Sequence, residues 1–275
     1  MKMKLTLVLV AALCGCVHPP DQTNHVSAGL QQRSGHGLRE TRSGETILPP
    51  AVSLEDGLTE DEAVTLALWN NAAFLETLAD LGLARADLIQ AGLLPNPTLT
   101  MLFPAGPKQL EFTAKFPLEA LWLRPRRVAA AKLDYERTAE RLVQNGLDLI
   151  RDVKLASADL AFAIQRVQLA GEAAKLSAQI AELARARLAA GEASELEIST
   201  ARVDALQAQE QLARARRDVR LARERLRHLA GLKPEQWTTG FVEPARPANV
   251  ERDVNQLVSQ ALAARPDLRA AELGL

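Results

Sequence analysis

Ten positions between Ile198 and Leu229 recur three and four apart, and all ten are apolar: Ile198, Ala201, Ala205, Ala208, Leu212, Ala215, Val219, Ala222, Leu226 and Leu229. A strict three-four alternation is the seam of a helix that packs lengthwise against a partner. Such a partner lies directly upstream. From Pro125, well placed as a first-turn proline, to Ala190 there are 66 residues without another proline, about 99 Å if helical. Within them Leu149, Val153, Ala156, Leu160, Ala163, Val167, Ala170 and Ala174 form a second seam, with alanine frequent enough to permit close approach. Gly191 stands where a helix C-cap glycine belongs, and Ser194-Glu195-Leu196-Glu197 reads as a capping box opening the next helix. The helices at 125–190 and 193–231 are therefore expected to form an antiparallel coiled-coil hairpin with a tight tip.

A third helical pattern precedes them. Thr59-Glu60-Asp61-Glu62 is a second capping box, and Leu66, Phe74, Leu78, Leu81 and Leu88 carry a helix over 59–92 that stops before Pro95 and Pro97. Counted over 60–91 its length is about 48 Å, and that of the helix over 193–230 about 57 Å. Together they match the long helix. The chain can make one closed circuit of a structure about 100 Å tall, which is not a globular domain. Composition agrees: 47% of residues are hydrophobic but only 4% aromatic, so alanine and leucine build helix seams in place of a bulky core. With 33 basic against 34 acidic residues, net charge gives no reason to expect a nucleic-acid partner.

Residues 1–15 have a basic start, an apolar stretch Leu5–Leu13 too short to span a bilayer, and then Leu13-Cys14-Gly15-Cys16. The ending resembles a bacterial lipoprotein signal, which implies cleavage before Cys16 and its acylation. The alternative is an ordinary signal peptide with incidental cysteines. Val17, in place of the aspartate that retains such proteins at the inner membrane, favours outer-membrane sorting. With both cysteines in the leader, the mature chain has no intramolecular disulfide and no zinc-cysteine site. Residues 16–57 are rich in Pro, Gly, Ser, Thr and His and lack lasting periodicity, so they read as a tether or wrapping strap. His18, His25 and His36 fall there at irregular spacing, as scattered solvated histidines do.

Between the first two helices, residues 97–117 hold two alternating segments joined by Pro104-Ala105-Gly106-Pro107. Gln109, Glu111, Thr113 and Lys115 share one face, and Leu110, Phe112, Ala114 and Phe116 the other. Leu99, Met101 and Phe103 oppose Thr98 and Thr100, with Leu102 the exception. Each segment has roughly transmembrane β length. A soluble hairpin lying on a helix would show the same alternation. The outer-membrane address and the charged pair Glu111 and Lys115 favour a strand pair between lipid and a watery lumen. Because open sheet edges are not tolerated in hydrocarbon, two such strands require an oligomer.

Several segments now resemble the TolC-type outer-membrane efflux protein family. They are Leu58-Thr59-Glu60-Asp61-Glu62-Ala63; Gln90-Ala91-Gly92-Leu93-Leu94-Pro95-Asn96-Pro97; Arg187 through Leu196; and Leu229-Ala230-Gly231. The resemblance covers residues 58–275 and implies a mainly α protein: a periplasmic α-barrel of long antiparallel helices, plus a β-hairpin per repeat contributing to a twelve-stranded barrel in a trimer. It implies passive export driven by an inner-membrane pump reached through a periplasmic adaptor. By the same resemblance the tip residues Leu188, Gly191, Glu192, Ser194 and Leu196 face the adaptor, and Gln109, Glu111, Thr113 and Lys115 line the pore.

Family members usually hold two such repeats. Residues 58–250 read as the first, and residues 251–275 as the start of a second that stops inside its opening helix, Ala261-Leu262 matching Ala67-Leu68. The expectation is a truncated or partial protein whose gate residues belong to the second repeat; a hexamer of half-length chains is the outside alternative. Arg214, Arg216, Arg217, Arg220, Arg223, Arg225 and Arg227 read as a solvated coiled-coil face because the apolar seam interleaves them. Arg124, Arg126 and Arg127 fall at the strand-to-helix junction. No phosphate loop, HExxH or Ser/His/Asp arrangement occurs, so no enzyme, cofactor or metal is expected. The rival from another class is a periplasmic adaptor or structural coiled-coil lipoprotein. Adaptors, however, flank their helical hairpin with glycine-rich β segments, absent here. The exported substrate stays open among metal ions, drugs and secreted proteins.

Overall fold

The structure, a computed structural model, describes residues 24–38, 47–50, 52–53, 56–103, 111–237, 240–242 and 253–274. The chain divides into two units, the first from the described parts of 1–29, 76–144 and 254–275, the second from those of 30–75 and 145–253. Helix dominates both. In order the elements are α1 (Asn24–Ser34), α2 (Glu60–Asn70), α3 (Ala72–Gly92), β1 (Thr98–Leu102), β2 (Glu111–Lys115), α4 (Glu119–Ala189), α5 (Glu195–Leu229), a 3-10 turn (Pro234–Gln236), α6 (Val254–Ala264) and α7 (Pro266–Glu272). Helix α4, 71 residues long, contributes to both units.

In the second unit, α4 and α5 are an antiparallel pair in heptad register. Asp159 meets Arg225 at 3.3 Å; one heptad on along α4 and one back along α5, Arg166 meets Asp218 at 3.7 Å. Three further heptads bring Arg187 to 3.7 Å from Glu197. All eighteen seam positions read from the sequence are buried or half-buried, and at Gly171 an added Cβ would lie 4.0 Å from Leu212. Burying each large seam side chain such as Leu160 or Leu226 contributes about 1.5–3 kcal/mol. The hairpin tip closes as expected. Gly191 sits at φ +78° while its amide and that of Glu192 donate to the carbonyls of Leu188 and Arg187, each at 2.8 Å, which satisfies the last turn of α4. The Glu197 amide then donates to the Ser194 hydroxyl at 3.2 Å and the Ser194 amide to the Glu197 carboxylate at 3.3 Å.

The expected helix over 59–92 is not continuous. It breaks at Asn71, whose extended backbone (φ −64°, ψ 115°) ends α2. The Asn71 side chain explains the break: its carbonyl accepts the Phe74 amide at 3.0 Å, capping α3. Its amide donates to the Leu229 carbonyl at 3.0 Å, at the end of α5. Asn71→Ala leaves that carbonyl without its partner and α3 without its cap, at a cost of about 2–3 kcal/mol. Chemical denaturation checks this; a loss below ~0.5 kcal/mol would mean the side chain does not hold the joint.

The span expected to be an aperiodic tether contains α1, because Val26 and Leu30 lie one turn apart and both are fully buried. Gly146 of α4 makes room: an added Cβ there would come within 2.7 Å of Leu30 Cδ2 and 3.3 Å of Phe74 Cζ. The expectation of solvated histidines fails at His36, whose side chain is only 16% exposed. Its Nδ1 lies 3.1 Å from the Thr65 hydroxyl. Trp69 Nε1 donates to the Gly37 carbonyl at 3.2 Å, and Asn70 bonds both the amide and the carbonyl of Ile47. This strap is fastened along one stripe of α2. His25 is exposed, and His18 lies outside the described residues.

In the first unit, α4 begins at Glu119, earlier than expected, and Pro125 falls inside it. Tight bonds from Ala120 to the Pro117 carbonyl and from Leu121 to that of Leu118, each 3.1 Å, start the helix right after the strand. Pro125 costs it one backbone bond, to the Leu121 carbonyl. Strands β1 and β2 are antiparallel, with Thr98 opposite Lys115 and Leu102 opposite Glu111. Five residues of each strand fall within the described residues, the turn end of the hairpin lying outside them; at the other end Phe116 falls outside the ladder, and Pro97 and Pro117, without amide hydrogens, limit it.

Helices α6 and α7 repeat α2 and α3 in miniature. Both α2 and α6 have 11 residues, followed by a single extended residue, Asn71 or Arg265, and a restart. Thus Val254 corresponds to Glu60, Arg265 to Asn71 and Pro266 to Ala72, at the offset that aligns Ala261-Leu262 with Ala67-Leu68. Burial differs. Ala63, Val64 and Leu68 of α2 are buried, whereas their counterparts Leu257, Val258 and Leu262 are exposed. Helix α7 is held by Arg269, whose Nε lies 3.2 Å from the buried Glu140. Arg265 hydrogen-bonds Asp267 through two nitrogens and holds that carboxyl below the usual aspartate range.

Candidate functional site

Two surfaces carry the residues singled out by sequence, and the structure adds a third. The first is the hairpin tip. Gly191, Glu192 and Ser194 are exposed, Leu188 is half-buried, and Leu196 is 76% exposed. Behind them a groove of about 440 Å³ runs between α4 and α5, lined by Ile180, Leu183, Arg187, Leu196, Thr200 and Asp204. Arg187 braces the turn, donating to the Glu192 carbonyl at 3.3 Å as well as meeting Glu197. The tip thus offers a rigid, capped corner with an apolar side chain projecting from it.

The second surface is the strand pair. Its register places Glu111, Thr113 and Lys115 on one face with Leu102, Thr100 and Thr98, and Phe112 and Ala114 on the other with Met101 and Leu99. Gln109 and the Pro104–Pro107 turn lie outside the described residues, as does Cys16. Every residue of both strands is exposed, on the apolar face as on the polar one. A groove of about 550 Å³ at the strand base carries both charges, Lys115 and Glu119, beside Phe116.

The third surface was not anticipated from the sequence. Leu155, Phe162, Leu169, Leu176 and Leu183 of α4 are spaced seven apart, and all are more than half exposed. This is a second apolar stripe, beside the seam that α5 covers. Its signal was present in the heptad spacing, but it is masked by the stronger three-four alternation one position away.

The arginine cluster of α5 is largely engaged in local pairs. Arg214 meets Glu210, Arg217 meets Asp218 and Arg227 meets Glu224, while Arg223 stacks 4.8 Å over the Trp237 ring. On α4, Arg151 hydrogen-bonds Asp152 and Asp148 at 2.9–3.1 Å, which raises its already high pKa. Among the described residues no group of His, Cys, Asp and Glu is placed to hold a metal, and no helix is long and apolar enough to cross a membrane.

Comparison with known proteins bears on these surfaces. The chain is 30% identical over 203 residues to the cobalt-zinc-cadmium resistance protein CzcC of Cupriavidus metallidurans. That match covers 70% of this chain and 47% of CzcC. The fold is similar to a membrane protein of Pseudomonas aeruginosa (TM-score 0.65, 21% identity, 86% of this chain and 57% of that one). It is also similar to the outer membrane protein VceC of Vibrio cholerae (TM-score 0.61, 19% identity, 78% and 57%). The chain therefore spans about half the length of the relatives it matches. The family described as outer membrane efflux protein matches residues 63–232, across the α2–α5 circuit and its strand pair. The chain belongs to the outer membrane efflux protein family.

Proposed function

We propose that this chain is part of an outer-membrane channel of a tripartite efflux system, a passive conduit across the periplasm and outer membrane. The observation that carries this reading is the strand pair, which has a polar and an apolar face, both unburied, and open edges. A two-stranded sheet with that surface is stable only when neighbours close it, and a barrel between lipid and water satisfies both faces. The exposed stripe Leu155–Leu183 supports assembly into a wall of helices, as a homo-oligomer with the trimer of the family. The exposed face of α6, whose counterpart in α2 is buried, supports a second circuit of the same kind around it. In this reading Gln109, Glu111, Thr113 and Lys115 line the pore, Cys16 carries the lipid anchor, and Leu188–Leu196 meets a periplasmic adaptor served by an inner-membrane pump. Similarity to CzcC supports divalent transition-metal ions as cargo.

The test is conductance. Protein extracted from outer membranes and reconstituted in planar bilayers is expected to open ion-conducting pores. Glu111→Lys should shift their selectivity toward anions. Leu196→Arg should leave conductance unchanged while reducing capture of the adaptor roughly tenfold or more, as loss of an exposed apolar anchor does. A chain that stays water-soluble and opens no pore would sink the reading in favour of a structural coiled-coil lipoprotein.

A further inference from the structure

The start of α4 has an order of side chains that the channel reading does not by itself use. Phe116, Leu118, Leu121, Trp122 and Leu123 are all exposed, Trp122 at 75%. From Ala120 to Leu133 there is no acidic residue, and Arg124, Arg126, Arg127 and Lys132 follow within three turns. Two of these cations are committed. Arg124 Nε donates to the Gly92 carbonyl at 2.8 Å, tying this turn to the end of α3, where Leu93 is also exposed. Lys132 lies 3.9 Å from Glu136. Among the described residues no hydrogen bond or ion pair engages Arg126 or Arg127.

A helix at a water interface separates apolar from charged residues around its circumference. Here they are separated along the axis. Arg126 follows Trp122, and Arg127 follows Leu123, at four residues' distance, so each guanidinium stands on the same face about one turn, ~5.4 Å, further on. Apolar, then tryptophan, then arginine is the sequence of layers met on leaving hydrocarbon through the carbonyl zone to the phosphates. Tryptophan prefers the middle layer because its ring is apolar and its indole N–H is a donor. Arginine matches phosphate with a planar, bidentate fork.

We infer that Leu93, Phe116, Leu118 and Trp122 form a collar seated in the headgroup zone of a phospholipid leaflet, with Arg126 and Arg127 holding lipid phosphates. The collar sets the depth of the chain in the membrane and enriches anionic lipid around it. The occupant is a lipid surface because every charge from Ala120 to Leu133 is positive, the lone carboxylate of Glu119 standing before them, and the apolar side chains beside these cations include an exposed tryptophan. This inference rests on the outer-membrane reading above.

The test uses the full chain reconstituted in vesicles of phosphatidylethanolamine and phosphatidylglycerol containing brominated lipids, with tryptophan fluorescence as readout. Trp237 is buried and Trp69 is bonded to the strap, so the difference between wild type and Trp122→Phe reports Trp122. Bromines near the carbonyls should quench that signal more than bromines near the chain ends. Brominated phosphatidylglycerol should quench it more than brominated phosphatidylcholine. In Arg126→Gln/Arg127→Gln that preference should fall roughly tenfold or more, since each cation near an anionic surface contributes about a fivefold factor; lysine at both positions should retain it. Deeper bromines quenching more would overturn the headgroup placement. Inorganic phosphate abolishing the preference at constant ionic strength would overturn the lipid assignment in favour of a free anion. A second variant separates the two readings: Phe112→Trp in the Trp122→Phe background reports the strand pair. Quenching there with none at Trp122 would overturn the collar alone, another protein surface covering it. Quenching at neither position would sink the membrane reading itself.

Discussion

Replacing Gly231 by alanine is expected to remove about 3–5 kcal/mol of stability. Two causes add. Gly231 sits at φ +68°, where its amide and that of Leu232 donate to the carbonyls of His228 and Arg227, each at 3.1 Å, to close α5. A Cβ in that left-handed conformation costs about 1–3 kcal/mol. It would also stand 2.4 Å from the Asn70 carbonyl oxygen and 2.5 Å from its carbon. Those are backbone atoms at the end of α2, and they cannot turn aside as a flexible side chain could. Gly191→Ala is the control, because φ is similar at +78° but an added Cβ meets nothing within 4 Å. It should cost about 1 kcal/mol. Urea unfolding followed by circular dichroism measures both; equal losses would show that strain alone, without the close approach to Asn70, governs the Gly231 site.

The second large effect is on assembly. Phe162→Glu with Leu169→Glu is expected to abolish the oligomer while leaving the folded chain nearly as stable. Phe162 is 62% and Leu169 69% exposed, so neither contributes much to the core of one chain. If the stripe is covered in the assembly, each deletion forfeits about 1.5–3 kcal/mol of burial. The introduced carboxylates add a desolvation cost that Arg166, 5.8 Å over the Phe162 ring and already 3.7 Å from Asp218, offsets only in part. A total near ~5 kcal/mol weakens association several-thousand-fold. Sedimentation of detergent-extracted protein reads the outcome, with Phe162→Leu as the conservative variant. An oligomer that survives the double substitution would place the subunit contact elsewhere and leave the stripe without a role.

The α4–α5 hairpin was legible in sequence because everything that specifies it is local. Seam spacing sets which face packs, Gly191 supplies the left-handed residue, and Ser194 with Glu197 supplies the cap, all within a few residues of the feature they control. The face assignment of the strand pair was legible for the same reason, since alternation is a property of the strand itself. The interruption at Asn71 was not. Asn71 reads as an ordinary helical residue until the Leu229 carbonyl, 158 residues later, is brought beside it. Gly146 is similar: inside a long helix it reads as a weak point, and only the arrival of Leu30 shows that the missing side chain makes a seat. His36 was read as solvated because its partners Thr65 and Asp61 are set by how the strap lies on α2.

Sequence alone thus determined the two long helices α4 and α5 with their antiparallel pairing, the caps at Thr59 and Ser194 and the two-faced strand pair, since periodicity and capping act over one or two turns. Tertiary structure decided which apolar surface is used inside the chain. Helix α4 carries two heptad stripes, and only the packing of α5 shows that the one through Leu160 is core while the one through Phe162 is left uncovered. Likewise α2 and α6 share a length, a break and an apolar face, yet one face is buried and the other open. A hydrophobic pattern states that a surface must be removed from water. What removes it depends on which elements the fold brings there.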